Sequence, residues 1–391
     1  MYKLFKPLTS PLIVASRSLH LPSLIDRFPK NVLFTFAYGS GALKQANTDH
    51  ESFKNNMLDI ILVVDDLQKF HQKNLSKNSK DYSLTNRLLF NAQNIAEIQK
   101  NKGNRTWFHP FVRDALPNGQ LLKYGIVEFS DFEHDMVNWS DLYLSGRLHK
   151  PVKKYFPKSN DSNDKNIEIR ERIENLIKMN RQQALNAALL LLAEDLSESE
   201  LYEKIASLSY TGDIRNQGFE NPNKVSNIVA GQFDEFKMIY RPLLEEYDTA
   251  RLELQFDDDK VLLEGKLDEP QVIDGKYGLE AELDRISEDP NHVFQDLSAV
   301  TILNKLNACP LNLQIQIAKI AGKNDRQRRD VEEVLRTVAR HPIPSDFVEK
   351  GLRNIVSKKS KDQAILAAIG AGPKKGIVYA IEKLKKGMQK K

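Results

Sequence analysis

Three short apolar runs in the first third of the chain predict β-strands. They are residues 31–38 (NVLFTFAY), 57–64 (MLDIILVV) and 121–129 (LLKYGIVEF). The second run is nearly continuous in apolar side chains, which is typical of a strand at the centre of a sheet. Between the last two runs, residues 81–99 carry apolar side chains at helical spacing. Strands and helix in mixed order predict an α/β domain over residues 29–156.

The hydrophobic pattern becomes helical after a polar stretch at 157–166, which we interpret as a linker. The spacing predicts helices at 167–193, 197–208, 226–244, 312–322 and 331–341. Residues 167–350 therefore form a mainly helical domain, with a winged-helix arrangement as one option. An acidic insert near 256–283, punctuated by Gly and Pro, predicts a hairpin or loop within it.

The charge is divided unevenly along the chain. Residues 353–391 contain 11 Lys and Arg against two acids, a charge of +9. Because the net charge of the whole chain is +4, residues 1–352 carry a charge of −5. Within 376–391 the apolar residues share one helical side and the lysines lie elsewhere. This pattern predicts that 351–391 is a basic tail whose amphipathic helix binds an anionic membrane surface. A packed terminal helix with solvated lysines is the alternative.

The N-terminal composition and the cysteine count bear on the compartment. The first 25 residues are basic, contain Ser and Thr, and include no acid before Asp26. This composition predicts a mitochondrial presequence over 1–28, with an ordinary N-terminal segment as the alternative. The single cysteine, Cys309, excludes an internal disulfide and a cysteine-based zinc site. Because no run of eighteen apolar residues exists, any work on lipid would be done from the membrane surface.

The clearest candidate chemistry lies at the end of the first predicted strand. Tyr38-Gly39-Ser40-Gly41 follows the strand directly, and Asp59 lies inside the next strand. A tight glycine turn lets backbone N–H groups and a serine hydroxyl approach a triphosphate. A carboxylate on the adjacent strand can then hold Mg²⁺ against the same phosphates. This arrangement is the hallmark of polymerase-β-like nucleotidyltransferases, and it predicts that fold for the α/β domain.

The sequence departs from that pattern at one position. A second carboxylate is expected two residues after Asp59, on the same face of the strand, but Ile61 stands there. Glu128 on the third strand and Asp135 just after it are the candidates to complete the metal site.

Several strings, in order and at matching spacing, resemble the mitochondrial CDP-diacylglycerol synthases of the translocator-assembly-and-maintenance family. They are FAYGSG, MLDIILVVDD, FHQKNLSKNSKDYS, LKYGIV, NWSDLYLSGRLHKPV and SLSYTGDIR, with weaker matches at 330–336 and 373–386. The resemblance implies that CTP and phosphatidic acid give CDP-diacylglycerol and pyrophosphate, with Mg²⁺. It also places the enzyme on the matrix face of the inner membrane, at the first committed step toward cardiolipin.

The resemblance assigns roles to single residues. Gly39 and Ser40 match the family's phosphate-binding turn, and Asp59 matches its metal-binding carboxylate. Three residues, Lys123, Arg147 and Lys150, match basic positions. Such cations would offset the charge that grows on the leaving pyrophosphate, and surface cations are the alternative.

Two further sets match family strings. Asp213 and Arg215 come from the helical domain and could reach a cleft between the domains. The other set has no role that the residues themselves indicate, and a solvated helix surface is the alternative for it. Its members are His71, Asn74, Asn78, Tyr82 and Ser83.

Two other functions compete with lipid synthesis. An RNA-tailing nucleotidyltransferase would use the basic tail to hold RNA. We expect no nucleic acid partner, because the chain has no cluster of aromatic and basic residues and no recognisable RNA-binding module. A non-catalytic assembly factor for mitochondrial import is the second competitor, and Ile61 in place of a carboxylate is its support.

Overall fold

The computed structural model describes residues 21–46, 56–117, 119–157, 164–212, 223–246, 292–322 and 330–388. Within them, the strands are β1 (Val32–Tyr38), β2 (Leu58–Val64), β3 (Trp107–Val112), β4 (Leu122–Glu128), β5 (Lys153–Tyr155), β6 (Asp195–Ser197) and β7 (His292–Phe294).

The helices of the first half are α1 (Leu21–Ile25), α2 (Leu67–Lys77), α3 (Leu84–Leu89), α4 (Ala92–Asn101), α5 (Phe129–Asn138), α6 (Ser145–Leu148) and α7 (Asp164–Leu189). Those of the second half are α8 (Glu198–Ser207), α9 (Lys224–Gly231), α10 (233–246), α11 (Ala299–Asn307), α12 (Leu311–Ala321), α13 (Val331–Ala339) and α14 (Ser345–Met388). Short 3-10 turns lie at Ser79–Asp81 and Leu208–Tyr210.

Five strands form one mixed sheet in the order β3-β4-β2-β1-β5. The central strand β2 runs parallel to β4 and antiparallel to β1, and the edge strands β3 and β5 are antiparallel to their neighbours. All of β2 is buried except the partly exposed Asp59. The three predicted strands and the α/β class of this domain are confirmed. Its nucleotidyltransferase fold stays a prediction.

The two edge strands were not predicted, for different reasons. β3 contains Pro110, which cannot donate a hydrogen bond in a central strand but is tolerated at a sheet edge. Its pairing with β4 also shifts register between His109 and Val112, where Phe111 has a φ of 54°. β5 has only three residues, too few to show an alternating pattern.

The second half of the chain is mainly helical, as predicted, and has its own core. Leu201, Ile205, Phe236 and Leu313 are among its fully buried side chains. The two-stranded β6–β7 sheet was not predicted. The acidic insert at 256–283 lies outside the described residues. Cys309 is buried in this core, where burial raises the pKa of its thiol to about 12, which agrees with a packing role.

The sheet separates two further cores because side chains alternate along each strand. From β2, Ile60 and Leu62 enter the core that also contains α1 and α2, whereas Ile61 and Val63 enter the core covered by α5 and α7. Asp59 has the same parity as Ile61 and Val63. It therefore lies on the face covered by α5 and α7, at the beginning of β2.

A buried polar network lies on the face of the sheet opposite to Asp59. It shows that the interpretation of residues 71–83 as a solvated helix surface is wrong. The string from His71 to Ser83 is buried at each family-matching position, so it is not a solvated helix surface. His71 Nδ1 lies 2.8 Å from the Tyr82 hydroxyl, and Asn74 donates to the hydroxyls of Tyr82 and Tyr124. Burial lowers the pKa of His71 to about 4, so the ring is neutral near pH 7.

The network continues to the N-terminal segment through Asp81. Tyr124 donates to Asp81 at 3.0 Å, and Arg27 holds both carboxylate oxygens at 2.5 and 2.6 Å. Leu21 and Phe28 are 4% and 1% exposed in the adjacent core. The predicted presequence boundary at residue 28 is therefore wrong in its last part, because residues 21–28 belong to the folded body. Residues 1–20 lie outside the described part of the chain.

The terminal helix α14 packs against both halves of the protein. Leu352 and Val356 are buried in the helical core, whereas Leu366 is buried in the core of the sheet domain. Asn104 N donates to Gln363 Oε1 at 3.1 Å, which attaches the helix to the loop before β3. The helix breaks at Gly372, whose φ is 71°. The predicted tail boundary at 351 is wrong for this reason: residues up to 372 belong to the body.

None of the described helices combines enough length with enough apolar character to cross a bilayer.

Gly125 lets the two central strands pack closely, and its replacement gives a test of the fold. A Cβ at this position would lie 2.6 Å from the Phe108 ring and 2.7 Å from Ile61 Cδ1. We expect Gly125→Ala to lower the free energy of unfolding by about 1–3 kcal/mol through overpacking. Urea denaturation measures the change. Gly322→Ala is the matched control, because none of the described residues lies within 4 Å of its added Cβ. An equal loss in both variants would contradict this packing argument.

Candidate active site

The glycine turn after β1 lies directly against the next strand. Gly39 has a φ of 75°, a left-handed conformation that favours glycine, and its carbonyl accepts hydrogen bonds from Ala42 N and Leu43 N. A Cβ on Gly41 would lie 2.2 Å from the Met57 carbonyl oxygen, so this position excludes any side chain. The turn therefore presents the partly exposed Ser40 beside the beginning of β2.

Three of the predicted residues are direct neighbours on adjacent strands and form one row across the sheet. Tyr38 of β1 pairs with Asp59 of β2, and Asp59 pairs with Lys123 of β4. The Lys123 ammonium lies 2.8 Å from Asp59 Oδ1, with the two side chains 16% and 22% exposed. A Cβ on Gly39 would lie 3.9 Å from Asp59 Oδ2, so this oxygen faces the glycine turn. No described residue donates a hydrogen bond to Oδ2.

Arg147 extends the site from the row toward α6. Its guanidinium carbon lies 4.9 Å from the Tyr38 ring centroid and 3.7 Å from that of Tyr143, and it also donates to the Tyr143 carbonyl. Arg147 Nε is buried, and none of the described groups accepts from it. Burial raises the pKa of the Tyr38 hydroxyl, while Lys123 and Arg147 act in the opposite direction.

Lys150 lies beyond Arg147, between the sheet domain and the helical domain. Its ammonium donates to the Gly146 carbonyl at 2.5 Å and to Ser209 Oγ at 3.1 Å. Burial holds the pKa of Lys150 well below its usual range, and the nearby Arg147 and Lys224 add to this effect. Lys123, Arg147 and Lys150 are thus all partly buried, and their interpretation as freely exposed surface cations is wrong.

Sequence reasoning missed two residues of this cluster. The Tyr210 ring lies 4.9 Å from the Lys150 ammonium and 4.5 Å from the Lys224 ammonium. Tyr210 lies within the family-like string SLSYTGDIR, of which only Asp213 and Arg215 are predicted site residues. Lys224 lies outside these strings, and no sequence pattern indicates its role. Lys224 comes from α9, so the helical domain contributes a cation to the site.

The helical domain also forms hydrogen bonds with the segment that follows the glycine turn. Ala46 N donates to the Asn227 carbonyl at 2.9 Å, and Gln232 Nε2 donates to the Lys44 carbonyl at 3.1 Å. Gly231 permits this approach, since an added Cβ would lie 2.5 Å from Ala46 N. The glycine turn is therefore held from both sides, by β2 and by α9.

Glu128 is not part of this cluster, and its assignment as a metal ligand is wrong. It pairs with Val64 at the far end of β2, five residues from the Asp59–Lys123 pair, which corresponds to about 16 Å along a strand. Its carboxylate instead forms an ion pair with Lys100 at 3.0 Å.

Asp135 is also not a metal ligand in this structure, because its two oxygens are committed to the chain itself. It is 3% exposed. Both oxygens accept hydrogen bonds from the segment that leads to α6. The donors are the backbone N–H groups of Asp141, Leu142, Leu144 and Ser145 and the hydroxyls of Ser140 and Ser145. Asp135 thereby positions Tyr143 and Arg147 indirectly.

At the position where a second carboxylate was expected, Ile61 is fully buried and packs over Gly125 on the neighbouring strand. The described residues bring no three His, Cys, Asp or Glu side chains together as a metal cage. Asp213 and Arg215 lie outside the described residues, and their predicted role stays a prediction.

Comparison with known proteins identifies the family. A family model described as "Phosphatidate cytidylyltransferase, mitochondrial" matches residues 21–386. The chain belongs to this family. Proteins of that name from Caenorhabditis elegans, Mus musculus and Bos taurus are 31%, 32% and 33% identical to it. These alignments cover 94%, 95% and 93% of this chain and 98%, 95% and 92% of the relatives.

Membership of the phosphatidate cytidylyltransferase family confirms the resemblance found in the sequence, and the matched region includes every residue of the cluster. It begins at Leu21, the first residue that the structure describes, and it ends within α14.

Replacing Asp135 distinguishes a structural carboxylate from a metal ligand. Asp135→Ala leaves four buried backbone N–H groups without their acceptor, so we expect a loss of about 3 kcal/mol or more in the free energy of unfolding. Chemical denaturation in the absence of divalent cations measures it. Glu133→Ala, on the same helix, breaks only an ion pair with the exposed Arg172 and should cost under about 1 kcal/mol. If Asp135→Ala kept the parental stability and lost only metal affinity, the metal assignment would return.

Proposed function

We propose that this chain is a phosphatidate cytidylyltransferase that joins CTP to phosphatidic acid and releases pyrophosphate, forming CDP-diacylglycerol for cardiolipin synthesis. One observation carries the proposal: in a member of this family, the glycine turn at Ser40 lies beside the Asp59–Lys123 pair. A mixed sheet with such a turn between its first two strands also supports a polymerase-β-like nucleotidyltransferase fold. The β6–β7 ribbon among helices supports the winged-helix option for the second domain.

The residues present fit Mg²⁺ bound together with a nucleotide, and they do not fit a site made by protein ligands alone. Magnesium is commonly held by one or two carboxylates and by substrate phosphates. Asp59 Oδ2, facing the glycine turn, and the Ser40 hydroxyl would hold the ion with the CTP phosphates. Bound there, the ion would neutralise negative charge on those phosphates.

The chain itself supplies positioning and positive charge. In the reaction, a phosphate oxygen of phosphatidic acid forms a bond to the α-phosphorus of CTP. The bond from that phosphorus to the bridging oxygen breaks, and pyrophosphate leaves with its electron pair. The glycine turn holds the triphosphate with backbone N–H groups. Lys123, Arg147 and Lys150 offset the charge on the departing pyrophosphate, and Tyr38 and Tyr143 orient the Arg147 guanidinium.

No general base is required in this proposal, because the second ionisation of a phosphate monoester has a pKa near 6 and the attacking oxygen is already charged at pH 7. Catalysis then depends on orientation and electrostatics. The depressed pKa of Lys150 fits a cation that awaits an anion, since a bound phosphate would favour its charged form.

We further propose that the enzyme works at the matrix face of the mitochondrial inner membrane, attached peripherally through its basic tail. The N-terminal composition and the relatives named mitochondrial support the compartment. Residues 373–391 contain seven lysines and one acid, which supports binding to an anionic lipid surface. Asp213 and Arg215 remain proposed contacts to substrate, since they follow Tyr210 closely in sequence.

The catalytic proposal is tested by substitution in the central row and in the turn. We expect Asp59→Asn to reduce kcat/KM at least about a hundredfold and Ser40→Ala to reduce it about tenfold or more, because charge stabilisation at the phosphates is lost. Labelled CTP with phosphatidic acid vesicles and Mg²⁺ measures the product.

Asp65→Asn is the matched control, since Asp65 follows β2 at its other end and bonds only to Asn31 among the described side chains. It should retain parental activity. If folded Asp59→Asn made CDP-diacylglycerol at the parental rate, the mechanism would be wrong, and a parental chain without any such activity would favour the assembly-factor function.

Lys150 should impart a pH dependence to substrate binding. Its pKa is lower than usual in the folded protein, so the side chain is charged, and binds phosphate, at pH values below that pKa and becomes neutral as the pH rises through it. We expect KM for CTP to rise with pH in the parental enzyme and to be roughly tenfold higher and flatter with pH in Lys150→Met. Lys178→Met, at an exposed ion pair with Glu246, is the control. Identical pH profiles in parental enzyme and Lys150→Met would exclude this role.

A further inference from the structure

The short helix α3 buries a polar side chain and exposes apolar ones, the reverse of an ordinary amphipathic helix. Its polar Asn86 is 1% exposed, whereas Leu84, Leu88 and Leu89 are 63%, 74% and 67% exposed. Leu84 and Leu88, four residues apart, share one face of the helix, and Leu89 lies about 100° further round it. In the part of the chain that the structure describes, no other stretch of six residues exposes three large apolar side chains. Single exposed leucines are ordinary, but a group of this kind indicates a binding surface.

The fold keeps α3 in this orientation through polar contacts. Ser83 caps the helix by accepting from Asn86 N at 3.2 Å. The Asn86 side chain donates to the Ile369 and Gly370 carbonyls of α14 at 3.1 and 3.0 Å. Because Asn86 is bound on the inner side, Leu84 and Leu88, which lie nearly opposite to it around the helix, point outward. Their exposure is therefore built into the packing and does not come from a frayed helix end.

The chain around α3 has the charge that an anionic surface attracts. Residues 67–96 contain five cations and one acid, and the exposed Asp65, Asp66 and Glu97 lie directly outside this stretch. The acid is Asp81, which is buried and paired with Arg27. The five cations are all exposed: Lys69, Lys73, Lys77, Lys80 and Arg87. Arg87 lies on α3 itself and Lys80 four residues before its first leucine, and exposed leucines beside exposed cations are the pattern of helices that lie in the interface of an anionic membrane.

The location of α3 adds a second argument. Asn86 holds α14 at Ile369 and Gly370, and a Cβ on Gly372 would lie 2.6 Å from Ser83 Cβ. The lysine-rich residues 373–391 thus begin beside the leucines. A membrane that bound this tail would lie next to α3.

We propose that α3 is a second membrane-binding element, in which Leu84, Leu88 and Leu89 insert into an anionic phospholipid bilayer while the neighbouring cations bind lipid headgroups. This proposal rests on the proposed function and extends it: the protein binds the membrane through two adjacent elements, one on the sheet domain and one in the tail. Two contacts fix the orientation of a protein on the bilayer, which one tail cannot do.

Vesicle flotation with the full chain tests the proposal. The combined variant Leu84→Gln, Leu88→Gln and Leu89→Gln should reduce partitioning onto phosphatidylcholine–cardiolipin vesicles by about tenfold or more, since apolar insertion is lost while all cations remain. The control carries Met238→Gln, Val300→Gln and Leu311→Gln, three similarly exposed apolar residues on the helical domain. It should bind as the parental chain does. Equal binding by parental, test and control chains would overturn the proposal.

A fluorescent reporter identifies what contacts the leucines. Both native tryptophans, Trp107 and Trp139, are 0% exposed and give a constant background. In Leu88→Trp we expect a blue shift on addition of cardiolipin vesicles and quenching by brominated acyl chains. An unshifted spectrum on vesicle-bound protein would refute insertion. If the leucine variant instead changed the sedimentation coefficient and left vesicle binding intact, a second copy of the chain would be the partner, and the proposal would be wrong.

Activity assays separate this proposal from the proposed function. With a short-chain, water-soluble phosphatidate, the leucine variant should match the parental rate, whereas with vesicle substrate its rate should fall together with its binding. A chain that inserts α3 but transfers no cytidylyl group to either substrate would refute the proposed function and leave the membrane contact standing.

Discussion

The pairing of three strands at one level of the sheet is the constraint on which the site depends. Tyr38, Asp59 and Lys123 are neighbours because β1, β2 and β4 meet in this register. A shift of one residue would turn Asp59 into the opposite core and Ile60 into the site. The close approach of Gly41 to Met57 helps to fix that register, since any side chain there would push the turn away from β2. The contacts that fix the strand register are therefore also the contacts that position the site residues.

Electrostatic balance in the site is unusual for a buried region. Asp59 is the one carboxylate of the row, and Lys123 already compensates it. Arg147 and Lys150 are held by aromatic rings and by carbonyl or hydroxyl oxygens, with no carboxylate partner among the described residues. Keeping such cations away from water is costly unless an anion completes the site. The excess of positive charge favours a polyanionic substrate at this site over a neutral one.

Local pattern was enough to predict the three inner strands, most helices and the glycine turn, because hydrophobic periodicity and turn chemistry are local properties. It failed where distant segments decide the outcome. Glu128 and Asp135 were reasonable metal ligands by their distance from Asp59 in the sequence. The strand register, however, places Glu128 at the far end of β4, and the carboxylate of Asp135 is occupied by hydrogen bonds from the loop that follows α5. Lys224 reaches the site only through domain packing. The string from His71 to Ser83 resembled a solvated helix because its polar residues satisfy one another inside the core.

The path of α14 restricts how the two halves of the protein can move. The chain passes from the sheet domain to the helical domain after β5 and returns along α14, so the halves are joined at two separate places. A simple hinge at 157–166 would have to bend a long helix that is buried in both cores. A rotation of one half against the other therefore costs more than local opening, and the described segment at 44–46 is attached to the helical domain by two hydrogen bonds, from Ala46 N to the Asn227 carbonyl and from Gln232 Nε2 to the Lys44 carbonyl.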